Sequence, residues 1–165
     1  MTWLIALSVL TLVVQRVLGM PGLPSWSPEI LLPAVWIVAP PLLHRERHWP
    51  YHALLLGLGW DLLMEPVVGP GGISWTAAAL AVAALAGLVA HRSTWAWAGF
   101  GAAAVLVVVT VRGIAYLPLG LTTAPSLAHV VRSAVLTALW CGLVGWLIAL
   151  DLPTRWQRYK ARRLH

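Results

Sequence analysis

The chain has 165 residues, 60% of them hydrophobic and only 10% charged, with a mean hydropathy of +0.82 and a formal net charge of +6. A soluble domain carries about 25% charged residues, so the composition excludes a soluble globular fold and points to an integral membrane protein, with one helical domain at 1–150 and a basic tail at 151–165. The positive charge is not a nucleic-acid footprint, because Arg155, Arg158, Lys160, Arg162 and Arg163 gather in that tail, the usual anchor on the cytoplasmic side and a match for anionic lipid.

Apolar runs broken by Pro, Gly and charge give six candidate spans, at 2–18, 29–43, 51–65, 73–91, 95–117 and 126–150. The first lacks a basic segment ahead of it, and Arg16 falls where the apolar core of a cleaved signal would end, so it is expected to be a retained helix. The second and third are about 15 residues each, where a perpendicular crossing needs about 20. Pro33, Pro40 and Pro41 in the second remove backbone donors and predict a kinked or partly re-entrant segment. The fourth is alanine-rich, and Ala79, Ala83 and Gly87 recur at i, i+4, i+8 as a smooth stripe for close helix contact. The sixth holds Cys141, a lone cysteine that reads as packing. The pattern predicts an all-α, polytopic membrane protein of six transmembrane helices, or of five where the short second does not cross. A topology of four full crossings and one hairpin also fits.

Orientation follows from the basic residues. With both termini cytoplasmic, Arg45, Arg47, Arg92 and the tail lie inside, which accounts for eight of the eleven Lys and Arg residues. Trp3, Trp26, Trp49, Trp75, Trp95, Trp97, Trp146 and Trp156 fall at or near the span ends, where an amphipathic ring suits a membrane interface.

The polar residues within the spans are few. Asp61 and Glu65 share a helix face and would lie in the outer half of the bilayer, at the depth of Arg16, Arg112 and Arg132. Two readings stand: a structural ion-pair cluster joining the helices, or a polar pocket open to the outer face. Catalysis is not expected. A membrane aspartyl protease needs two converging aspartates, whereas Asp61 and Asp151 fall at opposite sides, and no Gly-x-Ser-x-Gly elbow occurs. His44, His48 and His52 have helical spacing, but Pro50 interrupts it and Arg45 and Arg47 repel a cation, so neither metal nor cofactor is expected.

Gly57 and Gly59 thin the third helix ahead of Asp61, and Pro66, Gly69, Pro70, Gly71 and Gly72 make an uncharged turn into the fourth. Here the chain resembles the rod shape-determining MreD family of bacteria, which shows Gly-x-x-x-Gly-Leu-x-x-Asp followed by a glycine that opens the next helix. Gly57, Leu58, Gly59, Asp61 and the Gly69–Gly72 turn approximate it, with Ala53 in place of the first glycine.

The resemblance implies a non-enzymatic inner-membrane scaffold that binds MreC, a single-span protein, and works with RodA and a class B penicillin-binding protein. MreB filaments would be a further partner on the cytoplasmic side, and membrane lipids would surround the chain. It also implies a fold similar to the substrate-binding subunits of energy-coupling-factor transporters. In the scaffold reading, grooves on helices 3 and 4 receive a partner helix. The competing reading is a substrate-binding membrane subunit of a vitamin-type transporter.

Overall fold

A computed structural model of the chain describes residues 2–20, 29–43, 49–65, 67–88, 93–120 and 125–150. Among them every regular element is helical: α1 (Thr2–Leu18), α2 (Val35–Leu42), α3 (Trp49–Met64), α4 (Pro70–Leu88), α5 (Thr94–Tyr116) and α6 (Leu127–Ala149). Short 3-10 turns at Leu32–Ala34 and Leu117–Leu119 precede α2 and follow α5. The helices α4, α5 and α6 are long and apolar enough to cross a membrane. The histidine segment (His44, His48), Arg45, Arg47, Arg92, Trp26 and the basic tail lie outside the described residues.

The helix ends follow from local chemistry. The Ser93 side chain accepts from the Ala96 amide and starts α5, and Ser126 does the same for the His129 amide of α6. The second span departs most from regular helix. Its backbone is irregular until Pro33, which occupies the first turn of a 3-10 helix where a missing N–H is harmless. Pro40 and Pro41 near the other end supply no amides to the ladder, and α2 stops after eight residues. At about 1.5 Å per α-helical residue and about 2 Å per 3-10 residue, this piece is about 18 Å long, well short of an apolar core of about 30 Å.

Close approaches fix the packing. Leu12 of α1 meets Gly59 of α3, and Ser8 meets His52, so α1 and α3 run parallel. The helices α3 and α4 form a tight antiparallel pair: a Cβ on Gly57 would sit 2.5 Å from the Gly71 carbonyl oxygen. Likewise, a Cβ on Gly101 of α5 would lie 2.9 Å from Cys141 of α6, and Gly145 of α6 faces the Trp97 ring. Arg112 and Tyr116 of α5 reach Glu65, the residue that follows α3. One end of the bundle therefore collects the finishes of α1, α3 and α5 and the starts of α4 and α6.

The core runs along α2, which buries Ile37 and Val38, and includes Ala53, Trp75, Ala78, Val82 and Ala104. Large apolar side chains face outward, among them Leu10 and Val13 of α1 and Leu139 and Leu143 of α6. An outward apolar surface of this kind suits lipid. The tryptophans expected near the span ends divide by exposure. Trp95 and Trp146 are exposed, whereas Trp49, Trp75 and Trp97 are buried within the bundle. Glycine hollows and ring packing explain the last two: Trp97 fills the space left by Gly145, and Trp75 lies 5.6 Å from the Trp60 ring centroid.

Candidate functional site

The residues that set this chain apart meet at the end of the bundle where α3 turns into α4. Asp61, on the last turn of α3, is fully buried. Its carboxylate accepts from the Gly69 amide (2.7 Å) and from the Gly71 amide (2.9 and 3.0 Å). Pro70 stands between those donors as the first residue of α4, with no amide of its own. Asp61 thus caps α4 from a neighbouring helix. It satisfies amides that the first turn leaves free and puts negative charge at the positive end of the helix dipole.

The glycines are part of the same device. Gly69 holds φ at +131°, a conformation side chains rarely adopt. A Cβ on Gly71 would overlap Asp61 Oδ1 and lie 2.7 Å from the Gly57 carbonyl. Ser74 closes the turn by donating to the Gly71 carbonyl at 3.0 Å.

One turn further on, Glu65 is half-buried between α3 and α5. Arg112 Nη1 donates to Oε1 at 2.7 Å and the Tyr116 hydroxyl to Oε2 at 3.1 Å. The Arg112 guanidinium carbon lies 5.7 Å from the Trp60 ring centroid, a cation–π distance. The Nε and Nη2 atoms of Arg112 and the indole nitrogens of Trp60 and Trp75 are buried donors without an acceptor.

A third polar group ties α1, the irregular approach to α2, and α6. The Leu31 amide donates to Thr137 Oγ1 (3.0 Å) and the Leu32 amide to Gln15 Oε1 (2.9 Å), while Ser133 Oγ donates to the Glu29 carbonyl (2.6 Å) and Trp140 Nε1 to the Leu32 carbonyl (3.1 Å). The Trp36 indole donates to Thr11 Oγ1 at 3.0 Å. The Glu29 carboxylate is buried, with Arg132 Nη2 at 3.0 Å and His129 Nδ1 at 3.4 Å from Oε1.

The five charged residues expected as one cluster are therefore divided. Asp61 meets backbone amides and no arginine; Glu65 takes Arg112; Arg132 goes to Glu29, a residue the sequence did not single out; Arg16 is exposed and in no ion pair among the described residues. The small residues expected to line a partner groove mostly meet this chain itself. Gly57 and Gly72 face each other's helices, with Leu58 and Leu54 against Gly72, Gly59 faces Leu12, and Ala79 is buried. Ala83 is half-buried, and Gly87 is exposed with nothing within 4 Å of a built Cβ. His52 is bonded to Ser8 at 2.9 Å, and among the described residues no three His, Cys, Asp or Glu side chains gather in a metal-binding group.

The fold and these contacts define an all-helical protein, with three helices long and apolar enough to cross a membrane, whose polar side chains tie its helices together. No known protein family, curated protein or solved structure matches the chain.

Proposed function

We propose that the chain is a non-enzymatic membrane scaffold of the bacterial cell-elongation complex, an MreD-type subunit that binds an MreC-like single-span protein and helps direct peptidoglycan synthesis. The observation that carries the reading is the Asp61 clasp. The residues of the family-like motif, Gly57, Asp61 and the Gly69–Gly72 turn, are one physical unit that locks α3 to α4. A clasp of this kind gives a rigid helical surface, which a docking subunit needs and which explains why those residue types occur together. In this reading six spans cross the inner membrane, both termini are cytoplasmic, and the polar end of the bundle faces outward. RodA, a class B penicillin-binding protein and MreB are the further partners.

The test is co-expression with an MreC-like protein lacking its soluble domain, followed by purification in mild detergent. Co-elution with wild-type chain, and its loss in Asp61→Ala, supports the scaffold. A folded, monodisperse chain that never co-elutes overturns it. That result would favour the second reading, a substrate-binding transporter subunit, which draws on the concentration of polar side chains at one end of the bundle.

A further inference from the structure

Among the described residues, one buried acceptor lacks a donor: Glu29 Oε2. The other buried side-chain atoms without partners are all donors, around Arg112. Glu29 is only 5% exposed, so its free oxygen has no routine explanation in solvent. Its other oxygen is held by Arg132 and His129, whose side chains are 62% and 48% exposed. The Ser133 hydroxyl fixes the Glu29 backbone at 2.6 Å, so the carboxylate is anchored from behind. The cluster therefore combines a buried acceptor with an outward guanidinium that has N–H groups to spare, five residues before Thr137 on α6.

Charge decides what such a cluster takes. Glu29 and Arg132 together are formally neutral. A simple cation would meet the guanidinium, and a simple anion would leave Oε2 without a donor. A neutral zwitterion with an N–H-bearing ammonium on one side and an anionic oxygen on the other matches both needs without adding net charge.

We propose that Glu29, Arg132 and His129 form a binding site for the headgroup of a phosphatidylethanolamine molecule in the adjoining leaflet, the ammonium donating to Glu29 Oε2 and the phosphate held by Arg132. The apolar residues that follow Arg132 on the same face of α6, Val135 (52% exposed), Leu139 (66%) and Leu143 (49%), offer the acyl chains a surface below the headgroup. His129 makes the longest of the contacts to Glu29, 3.4 Å from Oε1, and its half-exposed ring stands beside the carboxylate. The proposal needs the chain to lie in a membrane but not to belong to an elongation complex.

Phosphatidylcholine is the decisive comparison, because it has the same phosphate and net charge but a quaternary ammonium with no N–H. The full chain is reconstituted in nanodiscs of equal phosphatidylethanolamine, phosphatidylcholine and phosphatidylglycerol, and retained lipid is identified by native mass spectrometry. One charge-assisted hydrogen bond predicts retention of phosphatidylethanolamine over phosphatidylcholine by about tenfold. Glu29→Gln is expected to remove that preference, and Arg132→Gln to lower retention of both lipids. Equal retention of the two by the wild-type chain overturns the proposal, and this comparison stands even if a variant fails to fold. A Glu29→Gln variant that folds and keeps the preference also overturns it. Soluble phosphoethanolamine separates the sources: release of the retained lipid extends the assignment to the free headgroup, and persistence restricts it to the bilayer lipid.

Discussion

Asp61→Asn isolates what the carboxylate does, because asparagine preserves shape and one acceptor oxygen. In the native chain two amides, those of Gly69 and Gly71, converge on the two carboxylate oxygens within 3.0 Å. The asparagine oxygen serves one of them, and the amide nitrogen, itself a donor, faces the other. A buried donor left unsatisfied and a lost charge at a helix N-terminus together cost about 2–4 kcal/mol. Asp61→Ala removes both acceptors and is expected to be the more destabilising of the two. The assay is reversible unfolding in mixed micelles, followed by far-ultraviolet circular dichroism. The reasoning also has an opposite. If a fully buried carboxylate were mainly a desolvation burden, neutral replacements would be tolerated or stabilising. An Asp61→Asn chain within about 0.5 kcal/mol of wild type, or an Asp61→Ala chain more stable than Asp61→Asn, would refute the capping account.

Three further outcomes test the packing. Gly57→Ala places a methyl 2.5 Å from the Gly71 carbonyl, a backbone atom that moves only if α3 and α4 separate, so a loss of about 1–3 kcal/mol is expected in the same unfolding assay. A double-mutant cycle of Glu65→Gln with Arg112→Gln is expected to give a coupling of about 1–3 kcal/mol for the half-buried pair, and additivity would count against it. Thr137→Val keeps volume but leaves the Leu31 amide without its acceptor; a loss of about 1–3 kcal/mol is expected, with faster hydrogen exchange at the Leu31 amide.

Much of the architecture was legible because hydropathy and breakers act locally. The helices α4, α5 and α6 begin and end within a few residues of the expected spans, and the prolines of the second span mark its short helix. Asp61 also stood out, as an acid in an apolar setting. Its partner did not, because the amides of Gly69 and Gly71 belong to the backbone and have no letter in the sequence. Side-chain charge alone groups it with the arginines at its depth, as an ion-pair cluster or a polar pocket. Glu29 does not stand out in the sequence for a related reason. Its cation, Arg132, lies 103 positions away on a different helix, and no periodicity links the two. The stripe of Ala79, Ala83 and Gly87 shows how a local pattern misleads. Steps of four drift about 40° each on a helix of about 3.6 residues per turn, so Gly87 has rotated out of the face that buries Ala79 and stands open.

The same bundle end that carries the clasp also carries the irregular approach to α2, and the two have one physical cause. Where an apolar segment departs from helix, its amides and carbonyls lose their intrahelical partners, and apolar surroundings supply none. At α4 the vacancy falls at the first turn and Asp61 fills it. At α2 it falls at residues 29–32, and Gln15, Ser133, Thr137 and Trp140 fill it from α1 and α6. Only side chains with oxygen or N–H groups do this, which is why polar residues accumulate at that end while α1 and α6 present apolar side chains outward elsewhere. Hydrogen bonds also tie α1 to its neighbours: Ser8, Thr11 and Gln15, spaced three and four residues apart, each join it to another element. A bundle held in this way keeps a defined outer surface, which is the property the proposed scaffold role requires.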